Sequence, residues 1–250
     1  MSNHAYESAA ALRPGSNGPV PISALCERFS LVPASADDAA ALEDLSVLGV
    51  SVDSGDTAPG ELFAGLPGFT VHGARFAAEA VACGAVVVLT DAEGSRIVHE
   101  TAPGTPVLIC DDPRAVVGPL SAEVYHHPAR GLITTAVTGT NGKTTTSYFL
   151  DAILSAHVGA CMVAGTVELR VGERSVESPR TTVEAPVLQR MMALAVEDGV
   201  GAASLEASSH AIVLHRLDGV VFDVAGFTNL QRDHLDFHKT MEGYLEAKAQ

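Results

Sequence analysis

The stretch Val137-Thr138-Gly139-Thr140-Asn141-Gly142-Lys143-Thr144-Thr145-Thr146 constrains the fold more than any other part of the chain. An apolar strand runs into two glycines, and Lys143-Thr144 then opens a helix. That order is the strand–turn–helix of a phosphate-binding loop. The glycines let backbone N–H groups crowd around phosphate oxygens, and the helix N-terminus favours negative charge. Lys143 is placed to reach β- and γ-phosphates, and the Thr144 hydroxyl to bind Mg²⁺. Val137 stands where the commonest version of the loop has a further glycine. A chance glycine turn before a helix is the bland alternative, and Gly-Lys-Thr after an uncharged strand weighs against it. A nucleoside triphosphate site follows.

Strands alternate with helices on both sides of this loop, which predicts an α/β fold. Before it, strands are expected over 45–52, 61–66, 85–89 and 106–110, with a turn at 53–56. Helical spacing covers 74–83, and Pro113 fits the first turn of a helix reaching about Val124. After the loop, strands are expected over 159–163, 168–171, 203–205 and 221–225. Helices are expected from 143, over 184–198, and from about 241. Residues 1–21 are rich in Ser, Asn, Gly and Pro and read as a loose tail. Tyr125-His126-His127-Pro128-Ala129-Arg130-Gly131 has the composition of a linker. The expected organisation is therefore a tail over 1–21, a first domain over 22–127 and a second over 128–250.

Composition removes several classes of function. Net charge is −15, so a phosphate surface such as nucleic acid or an anionic membrane would repel the chain. A single loop can still reverse the field locally and hold a nucleotide. Hydrophobic residues at 47% against 18% charged suit a buried core rather than disorder. The four cysteines, Cys26, Cys83, Cys110 and Cys161, show no zinc spacing. No apolar run is long enough for a bilayer, and the first residues lack a signal-peptide pattern. A cytoplasmic protein fits these observations.

Two further segments carry chemistry. Leu205-Glu206-Ala207-Ser208-Ser209-His210 follows an apolar stretch, so Glu206 is expected at a strand's carboxyl end. There open α/β sheets bind ligands, and a carboxylate can hold Mg²⁺. The same residues would also suit a helix N-cap. Phe227-Thr228-Asn229-Leu230-Gln231-Arg232-Asp233-His234-Leu235-Asp236-Phe237-His238 packs His, Asp and Arg densely after a strand; surface charge is the plain alternative.

The loop resembles that of the Mur ligase superfamily, GT-[NS]-GK-T-[TS]. Folylpolyglutamate synthetases usually read GTNGKG-S, whereas cyanophycin synthetases share GTNGKTTT. The other segments narrow the resemblance to the branch that makes the UDP-linked tripeptide of peptidoglycan. Thr181-Thr182-Val183-Glu184, Glu206 through His210, Phe227 through His238, and Tyr244-Leu245-Glu246-Ala247-Lys248 match its motifs in order and spacing from about residue 48 onward.

The resemblance implies an N-terminal α/β UDP-binding domain followed by the start of a Rossmann-like, mostly parallel P-loop ATPase domain. It implies ATP bound by Gly139, Thr140, Asn141, Gly142, Lys143, Thr144 and Thr145, with Mg²⁺ held by Thr144, Glu206, His234 and Lys248. Lys143, Glu206, His234 and Lys248 would carry catalysis. Lys248 would be carbamylated by CO₂, since a bare ammonium repels Mg²⁺ and its carbamate does not; an ordinary helix lysine is the composition-based alternative. Val52, Ser54, Thr181, Thr182, Ser208 and Arg216 would contact UDP-N-acetylmuramoyl-L-alanyl-D-glutamate, the acceptor of a diamino acid.

Some residues depart from the family pattern. Gly55 replaces the Arg of the uridine-contact turn, Val183 a Pro, and Ala207 the commoner Val. Family members are roughly twice as long and end in an amino-acid-binding domain. The 250 residues alone are therefore expected not to complete amide synthesis. Two alternatives stand beside the ligase: a related amide ligase of the folylpolyglutamate or cyanophycin kind, and a non-catalytic nucleotide- or precursor-binding fragment.

Overall fold

The computed structural model describes residues 11–250. They form two compact units, Ser16–His126 and Ala11–Gly15 with His127–Gln250.

In the first unit the elements are β1 (Val20–Pro21), α1 (Ile22–Phe29), β2 (Val32–Pro33), α2 (Ala36–Leu42), β3 (Ser46–Val47) and β4 (Gly49–Ser51). β5 (Glu61–Ala64), α3 (Ala77–Cys83), β6 (Val87–Thr90), α4 (Ala92–Thr101), β7 (Val107–Ile109) and α5 (Pro113–Val124) follow. Sheet order is β2-β7-β6-β5-β4, parallel except at β2. Strands buried on both faces read as short apolar runs, and Leu62, Val87, Leu89 and Leu108 are fully buried in this sheet. Side chains cap the helices: Ser35 accepts from the Asp38 amide, Asp91 from Gly94, and Asp112 from Arg114 and Ala115.

Two expectations are corrected here. The loose tail does not extend through Pro21: β1 pairs with β3, and Leu12, in the second unit, is fully buried. Residues 1–10 lie outside the described part. The single strand expected over 45–52 is split at Leu48, because β3 pairs antiparallel with β1 while β4 pairs parallel with β5. The Leu48 amide is taken instead by the Gly60 carbonyl at 2.9 Å.

The second unit contains β8 (Ile133–Thr138), α6 (Lys143–Val158), β9 (Cys161–Ala164), β10 (Glu168–Val171) and β11 (Arg174–Glu177). It continues with α7 (Ala185–Glu197), β12 (Ala202–Glu206), α8 (Ser209–Val213), β13 (Val224–Phe227), α9 (Leu235–His238) and α10 (Met241–Ala249). Sheet order is β11-β10-β9-β12-β8-β13, with β9, β12, β8 and β13 parallel. The strand expected over 221–225 begins later, at Val224, because Asp223 is tied to Thr134 by backbone and carboxylate hydrogen bonds just before it. Among the described residues no helix is long and apolar enough to cross a membrane.

Candidate functional site

The register of the parallel strands sets three chain ends side by side. Glu206 pairs with Val137, and Phe227 with Thr138. The turn after β8, the last residue of β12 and the segment after β13 therefore share the carboxyl edge of the sheet, where open α/β sheets receive ligands.

Gly139 and Gly142 hold φ angles of 140° and 85°, which a side chain would strain. A Cβ on Gly139 would also run into Thr228 and Asn229. Lys143, the first residue of α6, folds back and donates to the carbonyls of Gly139 and Thr140 at 2.9 and 3.0 Å. Burial lowers its pKa, while Glu206 and Asp233 act in the opposite direction. The lysine is thus held at the mouth of the loop by acceptors that an anion can outbid.

Glu206 is 1% exposed. Its carboxylate accepts from the Thr144 hydroxyl at 2.9 Å, the Thr166 amide at 2.8 Å and the Thr166 hydroxyl at 3.1 Å. A buried carboxylate touching the hydroxyl that opens a phosphate-loop helix is a donor set suited to a hard divalent cation. Thr166 was not anticipated from sequence; it becomes a partner only through the turn between β9 and β10.

Lys248 lies on the other side of the turn, 6% exposed, and donates to the same Gly139 carbonyl at 3.0 Å. Its ammonium sits 4.7 Å from the centre of the Tyr244 ring, and the Tyr244 hydroxyl lies 3.2 Å from that of Thr140. Burial, reinforced by Lys143 and opposed by Asp233, lowers its pKa to about 8. It also lines a cavity of about 380 Å³ beside β8 and β13, with Thr138, Ala207 and Gly226. The plain reading of Lys248 as an ordinary exposed helix lysine does not describe this position.

His234 is placed differently. It is exposed, with a φ of 51°. Its ring stacks edge-on against His210 at 4.9 Å, and its Nε2 lies 3.6 Å from Asp233. Burial and the neighbouring imidazoles hold His210 and His238 below the ordinary histidine range. Of the four expected Mg²⁺ ligands, Thr144 and Glu206 are in direct contact at 2.9 Å, while Lys248 is bonded to the Gly139 carbonyl and His234 packs against His210. Among the described residues no three His, Cys, Asp or Glu side chains converge on a common point.

The residues expected to contact the muramoyl peptide surround the end of β12. The Thr182 hydroxyl donates to the Glu206 carbonyl at 2.7 Å and accepts from the Ser208 amide at 3.1 Å. Ser208 caps α8 through the Ala211 amide, so the strand-end and cap readings of this segment both hold. Thr181 meets Thr166 at 3.2 Å, and Arg216 pairs with Glu184 at 3.0 Å. In the first unit the Ser54 hydroxyl donates to Glu79 at 2.7 Å, and Asp53 accepts from the amide of Gly55, the residue replacing the family's Arg. Val52 is half-buried beside them.

The loop amides depart from the simplest phosphate cradle. The Thr140 amide donates to the Asn229 carbonyl at 2.9 Å, and that of Asn141 to the Asn229 side chain at 3.1 Å. Sequence reasoning placed both residues at the nucleotide; here both amides face the segment after β13. Thr228, Asn229 and Tyr244 belong to stretches whose composition is conspicuous, but nothing local to them reveals a partner about ninety residues away.

Family models match most of the chain: Mur ligase middle domain over residues 137–250, and Mur ligase family, catalytic domain over 46–125. The UDP-N-acetylmuramoyl-L-alanyl-D-glutamate–2,6-diaminopimelate ligase of Streptomyces avermitilis is 48% identical over 207 residues, 83% of this chain and 40% of that one. The Streptomyces coelicolor ligase of the same name is 44% identical over 239 residues, 95% and 46% of the two chains. A solved structure with that ligase name superposes with a TM-score of 0.64 at 34% identity, covering 82% of this chain and 40% of the other. A MurF structure from Acinetobacter baumannii, 18% identical with a TM-score of 0.62, covers 94% and 46% and shares the fold. The chain thus spans less than half the length of these relatives. With the sheet-edge loop and both family matches in agreement, the chain belongs to the Mur ligase family, of which it carries the N-terminal and middle-domain sequence.

Proposed function

We propose that these residues supply the precursor- and ATP-binding part of a cytoplasmic ligase that joins diaminopimelate to UDP-N-acetylmuramoyl-L-alanyl-D-glutamate. The observation that carries this reading is the shared sheet edge, where Lys143, Thr144 and buried Glu206 surround one turn. The names of the relatives supply the substrate. The four cysteines are free thiols, as a reducing compartment keeps them.

A carboxylate is a poor acyl donor because oxide does not leave. In the proposed reaction the precursor's carboxylate oxygen attacks the γ-phosphorus of ATP, and the bond to ADP breaks. The resulting acyl phosphate is attacked by an amine, which loses a proton as phosphate departs. Lys143 offsets the charge on the γ-phosphate, and the first amides of α6 face the anion. Mg²⁺ held at Thr144 and Glu206 would further neutralise the phosphates. The family resemblance makes His234 and the carbamate of Lys248 the further candidate ligands.

The low pKa of Lys248 supports its modification. Only a neutral amine adds CO₂, forming a carbamate and releasing a proton, and this group is partly neutral near physiological pH. Lys143→Ala tests the core of the reading: calorimetry with ATP and Mg²⁺ should show binding by the chain and none by the variant. Unchanged affinity in the variant would remove the triphosphate site and the ligase assignment with it.

A further inference from the structure

Three residues after β13, Thr228, Asn229 and Gln231, are bonded to the phosphate loop and to the end of the strand before it through both backbone and side chain. The Thr228 amide donates to the Thr138 carbonyl at 3.0 Å, and its hydroxyl lies 2.7 Å from the Asn141 carbonyl and 3.2 Å from that of Thr138. The Asn229 side chain both accepts from the Asn141 amide at 3.1 Å and donates to the Asn141 carbonyl at 3.0 Å. Beyond it, the Gln231 amide donates to the Thr140 hydroxyl at 2.9 Å, and the Asn141 side chain to Gln231 at 3.1 Å.

The two halves of the turn consequently have different tasks. Thr140 and Asn141 have given their amides to the strap. The first amides of α6 lack intrahelical acceptors, and they stand with Lys143 on the side left open. Gly139 also gains a second reason for being glycine: a Cβ there meets Thr228 and the Asn229 backbone before any ligand arrives.

We propose that Thr228 and Asn229 are positioning residues for the nucleotide. They fix the turn in its phosphate-receiving form without touching phosphate, and they restrict anion recognition to Gly142, Lys143 and Thr144. Because the order is present before binding, affinity is not spent on arranging the loop. The proposal rests on the triphosphate reading of the loop, so its test must separate the two.

The test uses the full chain with ATP and Mg²⁺. Thr228→Val keeps the shape and removes the hydroxyl, and Thr228→Ser restores it. Losing one such hydrogen bond is expected to weaken binding about fivefold to tenfold in Thr228→Val, with Thr228→Ser near the parent and melting temperatures alike. In the unaltered chain without nucleotide, hydrogen exchange at the Thr140 and Asn141 amides should already be slowed at least about tenfold. Equal ATP affinity in Thr228→Val and parent, while Lys143→Ala fails to bind, would overturn the strap alone. Full affinity in Lys143→Ala would overturn the triphosphate site beneath it. Unprotected Thr140 and Asn141 amides would refute the strap even if the valine variant did not fold.

Discussion

Lys248 offers a measurement that depends on burial and on one neighbour. Its pKa stands at about 8 against an ordinary 10.5. At about pH 7.5 roughly a quarter of the amine is neutral, against about one part in a thousand for an unshifted lysine. Burial takes the larger share of this shift, and Lys143 the next. Both ammonium groups donate to the Gly139 carbonyl, at 2.9 and 3.0 Å, so the two nitrogens are at most about 6 Å apart. Like charges at that distance repel by about 0.7 kcal/mol in water and more in a partly buried site. Lys143→Ala should therefore raise the Lys248 pKa by about half a unit to one unit. Trace acetylation across pH, read by peptide mass spectrometry, gives the midpoint for Lys248 independently of its accessibility. Since the native state holds fewer protons than the unfolded state between about pH 8 and 10.5, this group's contribution to stability rises with pH across that window and is unfavourable below it. A parent midpoint near 10.5, or one that Lys143→Ala leaves in place, would refute the reasoning.

Other perturbations test the rest of the site. Gly139→Ala combines a positive φ with a collision at Thr228 and Asn229, and should cost about 1–3 kcal/mol in urea denaturation of the second unit. Thr182→Val, which strips the hydroxyl bridging the Glu206 carbonyl and the Ser208 amide, should cost about 1–3 kcal/mol by the same measurement. Glu206→Gln keeps the shape near Thr144 and Thr166 but removes the charge. It should weaken ATP binding about tenfold or more with Mg²⁺ and much less with EDTA, as titration calorimetry would show.

Where sequence signals were local, they placed structure closely. Pro113 and Val124 bound α5 as the proline and apolar spacing indicated, and Lys143 opens α6 directly after the glycine turn. Residues 22–45 showed no regular pattern, although they contain two short helices. α1 follows Pro21 without a side-chain cap, and α2 is an Ala- and Asp-rich stretch held by Ser35 and by the Asp38 contact with the Val107 amide. The second of these partners lies sixty-nine positions away. The site divides in the same manner. Glu206 at the end of β12 was legible from an apolar run followed by a carboxylate. The Thr166 contact and the Asn229 pairing were not, because each is made by a loop that neighbouring strands carry to the sheet edge, and hydrophobic period carries no information about which strands meet.

β13 lies beside β8 although the two are separated by most of the second unit's chain. Contacts of such long sequence separation close late in folding. The phosphate turn gains its hydrogen-bonding partners only when that closure occurs, so a chain still assembling has no formed receptor for ATP. Nucleotide added during refolding should leave the early phases untouched and slow only the unfolding of the finished unit.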